Sequence, residues 1–171
     1  MGNIGQQKTT GTINDLIEQY CGESPRERLD YINGGFLGSL DAFDIDEISW
    51  ISDRIGITDL VGAFVASDAG HFIINTAEEI DSPSDFKEPV DHRGGPLALR
   101  TTLDRIAGEI HNVLENTMDK VVVHCYMGME RSVLSVVWYL HKYEGKTIDE
   151  AYRMIENIRP IAIDRRSWIE A

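Results

Sequence analysis

Two apolar runs with a polar loop between them constrain this chain more than any other feature. Lys120–His124 (KVVVH) is short and β-branched, as a strand buried on both faces requires. Val133–Leu140 is the second run and predicts a helix buried over much of its surface. A buried strand that feeds a buried helix is the building unit of a parallel sheet. The loop that joins them is His124–Ser132, HCYMGMERS.

The rest of the chain extends this alternation. Pro96–Asn116 predicts a long helix with Leu99, Leu103, Ile106, Ile110 and Leu114 on its inner stripe. Thr147 with Glu150 makes a capping box that opens a helix to Ile158, where Arg159-Pro160 stops it and a terminal helix is expected to follow. Ile57–Ala66 (ITDLVGAFVA) reads as a buried parallel strand, and Phe72–Asn75 as a shorter one. Ala42–Arg54 reads as a helix that buries Phe43, Ile48, Trp50 and Ile51. Tyr31–Leu40 reads as a strand and turn, and Asp81–Pro96, with three prolines, as a surface loop. Thr12–Cys21 carries Ile13, Leu16, Ile17 and Tyr20 at helical spacing behind a polar arm, Met1–Gly11. The expectation is an α/β fold with a parallel-rich central sheet and helices on both faces. Residues 1–24 are expected to form an arm and short helix, and residues 25–171 one domain.

Charge narrows the partners. The net charge is −13, which argues against a nucleic-acid partner or an anionic membrane surface. No apolar run approaches the length of a membrane span, and the start of the chain lacks the apolar stretch of a signal peptide. It begins Met-Gly, but position 6 is Gln where a myristoylation signal has Ser or Thr. Two cysteines, Cys21 and Cys125, make no disulfide framework, so a reducing cytoplasm is the expected compartment. The histidines His71, His92, His111, His124 and His141 show no metal-ligand spacing, so neither metal nor cofactor is expected.

The chemistry concentrates in the loop. A chain that curls from strand to helix turns successive N–H groups toward one point, with the helix N-terminus behind them: an anion site. Gly128 permits an unusual backbone angle there. Tyr126, Met127, Gly128, Met129 and Glu130 would line the phosphate cradle, and Arg131 can bind two phosphate oxygens through its planar fork. The same positive field lowers the pKa of Cys125, and a thiolate under a bound phosphate is placed for in-line attack on phosphorus. Met127 and Met129 are equally suited to filling the core.

The stretch matches HCxxGxxRS, and on those residues the chain resembles the dual-specificity branch of the cysteine-dependent protein tyrosine phosphatases. His124, Cys125, Gly128, Arg131 and Ser132 fall on the motif position by position. Gly35–Leu40, Ile55–Val65 and Ile158-Arg159-Pro160 are similar to further segments of that family. The resemblance implies a nucleophile at Cys125 and a clamp at Arg131. It implies that Ser132 bonds the sulfur, although a helix cap is its simpler role, and that His124 orients the loop, although it also suits a buried core histidine. A general acid is implied some 30 residues upstream with Leu six positions after it. Asp91, 34 before Cys125 and six before Leu97, fits, while Asp81, Asp85 and Asp104 compete. Glu130 departs from the family pattern and would weaken anion binding if its carboxylate turned inward.

The implied substrate is a phosphorylated protein or a small phosphomonoester. Two other readings compete: a phosphate-binding module without turnover, and a phosphatase of a non-protein phosphomonoester. Sulfur- or arsenate-transfer enzymes also use a reactive Cys near Arg, but the low-molecular-weight phosphatase and arsenate reductase arrangement places the Cys loop near the N-terminus, whereas here it lies late.

Overall fold

The computed structural model describes residues 17, 23–32 and 43–170. The polar arm, the expected helix over Thr12–Cys21 apart from Ile17, and the segment Gly35–Leu40 lie outside those residues. Cys21 lies outside them too.

Among the described residues five strands make one sheet: β1 (Ser49–Trp50), β2 (Ile55–Thr58), β3 (Phe72–Asn75), β4 (Phe86–Lys87) and β5 (Val121–His124). Their order is β1-β2-β5-β3-β4. β2, β5, β3 and β4 run parallel, and β1 is an antiparallel edge strand. β5 sits in the middle, fully buried, as its run of valines requires. In register, Thr58 and Asn75 both lie opposite His124. The chain therefore leaves β2, β3 and β5 at one sheet edge.

Helices cover both faces, as the alternation of elements implies. α1 is Pro25–Ile32, α2 Leu60–Asp68, α3 Pro96–Asn116, α4 Arg131–Glu144 and α5 Ile148–Ile158. Ile55, Ile57, Ile74, Val121 and Val123 face α3, α4 and α5. Ile73 and Val122 point the other way, onto Ala66 of α2. Leu99, Leu103, Ile106, Ile110 and Val113 are buried along α3, each contributing roughly 1.5–3 kcal/mol of transfer free energy.

Five expectations are corrected. Ile57–Ala66 is not one strand: β2 ends at Thr58, and Asp59 caps α2 by accepting from the Gly62 N–H at 2.8 Å. The run is apolar throughout, so its periodicity cannot separate strand from helix, whereas the Asp inside it is a helix-start signal. Ala42–Arg54 is not a helix: its described part holds a turn, in which Asp44 accepts from the Asp46 N–H at 3.1 Å, followed by β1. Asp side chains compete for the backbone in this way and favour turns. Tyr31 and Ile32 close α1 rather than begin a strand. The expected surface loop over Asp81–Pro96 also holds the two-residue β4, and the terminal helix is only a 3-10 turn, Arg166–Trp168.

Candidate active site

Cys125 follows β5 at the carboxyl edge of the sheet, and the loop enters α4 at Arg131. Gly128 makes the turn with φ +67°, in the left-handed region. A Cβ there would lie 2.5 Å from the Thr58 carbonyl oxygen and 2.6 Å from Arg159 Nη2, so the close approach demands glycine.

The sulfur is recessed, with Cys125 only 3% exposed. Burial alone would push its thiol up. The Arg131 charge, the Ser132 hydroxyl, and the N–H groups of Ser132 and Gly128 outweigh it, and the thiol is held below its ordinary value. Cys125 Sγ and Ser132 Oγ are 3.3 Å apart. Ser132 is not the cap of α4: that position is Glu130, so the hydroxyl is committed to the sulfur.

His124 faces away from the cavity. Its Nδ1 lies 3.0 Å from the Cys125 carbonyl oxygen and its Nε2 2.9 Å from Ser82 Oγ. A carbonyl only accepts, so Nδ1 carries the hydrogen and Nε2 accepts from Ser82. Complete burial holds the imidazole neutral, with its pKa lowered to about 4. It is thus a satisfied core histidine that also fixes the Cys125 peptide.

A cavity of about 350 Å³ opens above the sulfur. Cys125, Tyr126, Met127, Met129, Glu130 and Arg131 border it from the loop; Asp91, His92 and Arg93 border it from the segment before α3. Met127 and Met129 serve both roles open to them, since each also packs against Leu29, Ile45 or Leu60 in small apolar clusters. The Tyr126 hydroxyl donates to the Glu23 carbonyl oxygen. The Glu130 carboxylate accepts from Arg165 Nε at 3.2 Å, so its charge at the rim is partnered.

Of the four candidate acids, Asp91 borders this cavity. Asp85 instead accepts from the Ile73 N–H at 2.9 Å, Asp104 accepts from Trp138 Nε1 at 2.8 Å, and neither they nor Asp81 line the cavity. Arg93 grips Asp91 through its backbone N–H, Nε and Nη2, at 2.8–3.1 Å. Those bonds hold the Asp91 carboxyl down at about 2.

Several residues that matter here lie outside the motif. Glu79, in the loop after β3, forms a two-point ion pair with Arg131. Trp168 arrives from the 3-10 turn near the end of the chain. Arg159, which resembles a helix stop, is fully buried and braces the loop by donating to the Gly128 oxygen at 2.7 Å and the Met127 oxygen at 3.0 Å. Near it, Asp59 Oδ2 and Asp46 Oδ1 are buried and have no other partner. A proton kept on Asp59 bridges to Asp46: burial and the bond to Asp46 push the Asp59 pKa well up, against the Gly62 N–H and the Arg159 charge. An Arg inside an otherwise apolar terminal segment was the available signal for Arg159; Glu79 and Trp168 had none.

The family model described as "Dual specificity phosphatase, catalytic domain" matches residues 72–170, more than half of the chain. That span holds Asp91, the loop and Ile158–Pro160, while the resemblances at Gly35–Leu40 and Ile55–Val65 fall outside it. A curated relative, dual specificity protein phosphatase 1 of Arabidopsis thaliana, is 41% identical over 49 residues. That stretch is 29% of this chain and 25% of the relative, so the match spans about a quarter of the relative's length. Among solved structures the fold is similar to human DUSP28 at TM-score 0.62 and 16% identity, covering 71% of this chain and 86% of that one. It is likewise similar to human tyrosine phosphatase-like serine/threonine/tyrosine-interacting protein at TM-score 0.61 and 16% identity, covering 72% and 91%. With a family match over most of its described length, the His124–Ser132 loop included, the chain belongs to the dual specificity phosphatase catalytic domain family.

Proposed function

We propose that the chain is a cysteine-dependent phosphatase that hydrolyses phosphotyrosine and phosphoserine/threonine in proteins through a phosphocysteine intermediate. One observation carries the reading: a buried thiol is held below its ordinary pKa by Arg131, by the Ser132 hydroxyl and by the N–H groups of Ser132 and Gly128 around the entry to a 14-residue helix. A buried cysteine that served only packing would have its pKa raised.

Arg131 and the loop N–H groups bind the phosphoryl oxygens. The Cys125 thiolate attacks phosphorus in line, the S–P bond forms, and the bond from phosphorus to the substrate oxygen breaks. Asp91, as a carboxylic acid, gives its proton to that departing oxygen. Water then attacks the phosphocysteine; Asp91 takes the water's proton, the S–P bond breaks, and the Ser132 hydroxyl stabilises the thiolate as it leaves. Asp91 can act as the acid only when the Arg93 fork lets go of it, because in the resting site its proton is already lost.

The test is hydrolysis of p-nitrophenyl phosphate, phosphopeptides and phospholipids by the wild type and by Cys125→Ser. Turnover by the wild type, with substrate binding but no turnover by the variant, is expected. Full activity in Cys125→Ser would remove the nucleophile assignment. Binding of phosphopeptide by both proteins without turnover would favour a phosphate-binding module.

A further inference from the structure

We infer that Trp168, together with His92, is a specificity-determining wall that favours an aryl phosphate, the phosphotyrosine side chain, over the alkyl phosphates of phosphoserine and phosphothreonine. The inference rests on the phosphatase reading and names the substrate class of the same site.

Trp168 stands 43 residues after Cys125 and reaches the cavity only because the final 3-10 turn folds back onto it. Its indole stacks on the His92 imidazole, with centroids 4.2 Å apart and planes 13° from parallel. Both rings border the cavity that holds Cys125 and Arg131. The turn is tied to the nucleophile loop as well: the Arg165 guanidinium lies 5.4 Å from the indole centroid and its Nε donates to Glu130. The wall is therefore held from two sides, by the segment carrying Asp91 and by the loop carrying Cys125.

The apolar lining gives the wall its consequence. Trp168, Val90 and Met129 border the cavity that also holds the recessed Cys125 sulfur. A tyrosyl ring on the phosphate would pack against the indole, Val90 and Met129. Phosphoserine has a single methylene between backbone and phosphate and no ring to cover that apolar wall.

Charge narrows the substrate class separately. Around Arg131 the cavity carries Glu78, Glu79, Asp91 and Glu130 against Arg93. Such a rim repels substrates with extra negative charge, such as polyphosphorylated lipids or RNA ends, and accepts a neutral ring.

The competing role for Trp168 is to hold the Asp91 segment through His92. The two roles predict opposite selectivity. An acid is needed most by basic alkoxide leaving groups, so a misplaced Asp91 would harm phosphothreonine hydrolysis more than phosphotyrosine hydrolysis. Loss of the wall harms phosphotyrosine more.

The experiment compares kcat/KM for a phosphotyrosine peptide and its phosphothreonine counterpart in the wild type, Trp168→Ala, Trp168→Leu and Trp168→Phe. Urea midpoints are measured in parallel, and Trp168→Leu, which keeps apolar volume without a ring, serves if the alanine variant is unstable. In Trp168→Ala or Trp168→Leu, phosphotyrosine kcat/KM should fall about five- to tenfold, mainly through KM, with phosphothreonine changed less than about twofold. Trp168→Phe should keep most of the wild-type preference. Parallel losses, or a larger loss for phosphothreonine, would overturn the inference and leave the phosphatase reading standing. No turnover of either peptide by the wild type would overturn both.

Discussion

Arg131 and Glu79 face each other across the cavity in a two-point ion pair, with Nη1 to Oε2 and Nη2 to Oε1 both at 2.7 Å. Burial would raise the Glu79 carboxyl, yet the Arg131 guanidinium holds it below the usual carboxylate range. An incoming phosphate therefore meets a guanidinium whose charge is already partly matched. Glu79→Gln keeps the shape and removes the charge. It is expected to tighten vanadate inhibition by about threefold to tenfold, a modest figure because the pair is partly exposed to water. Weaker inhibition would mean that Glu79 instead holds Arg131 in its working orientation.

Arg93 sets the protonation of Asp91. Its three donor groups hold the carboxyl at about 2, so Asp91 is ionised across the ordinary working range. Arg93→Ala frees the carboxyl to return toward roughly 3.9, and the protonated fraction at pH 5 rises with it. The alkaline limb of the pH profile for phosphothreonine should move up by about one to two units. A p-nitrophenyl ester, whose leaving group needs little protonation, should respond much less. An unchanged limb would show that Arg93 already releases Asp91 when substrate binds.

His124 makes folding pH-dependent. Burial lowers its pKa to about 4 from the ordinary 6.5. Between those values the unfolded chain binds a proton that the folded protein refuses, so stability rises with pH across this window and is lost as pH falls toward 4. The full loss is on the order of 3 kcal/mol. His124→Gln keeps a donor and an acceptor but cannot titrate. Its urea midpoint should vary less between pH 4 and 6.5 than that of the wild type. Equal slopes would assign the titration to another group.

Arg159 is the brace beneath the loop. Besides Gly128 and Met127 it donates to the Ile45 oxygen at 3.1 Å, the Glu47 oxygen at 3.3 Å and Ser49 Oγ at 3.0 Å. Burial lowers its pKa to about 10, with the negative charge of the Asp59–Asp46 pair and of Cys125 pulling it back up, and it stays charged at neutral pH. Arg159→Met leaves these oxygens without their donor and the carboxyl pair without its cation. The variant should lose about 3–5 kcal/mol in urea unfolding and bind vanadate more weakly. A loss below about 1 kcal/mol would mean that water replaces the guanidinium.

The local elements were legible wherever pattern and punctuation agreed. Pro96 opens α3 and Thr147 caps α5 by accepting from the Glu150 N–H at 3.0 Å, and both helices keep their expected bounds. The Ile57–Ala66 run misled because every position in β2 is buried, which erases the alternation that marks a strand. Around Asp44 and Asp46 the apolar spacing suggested a helix, but Asp44 spends its side chain on a turn, accepting from the Asp46 N–H.

The sequence by itself determined the chemistry of one loop. His124–Ser132 carries the thiol, the guanidinium, the hydroxyl and the glycine within nine residues, and the runs on either side require a strand and a helix. Such short-range information survives without a fold, because strand, turn and helix start are set by neighbours along the chain. Tertiary structure alone decided what surrounds that loop. β3 lies parallel to β5 with Asn75 opposite His124, so Glu79 emerges at the same sheet edge as Cys125, 46 residues away in sequence. Trp168 and Arg159 arrive there because α4 and α5 pack on one face and return the chain to that edge. No local pattern encodes these meetings; strand order and helix packing create them.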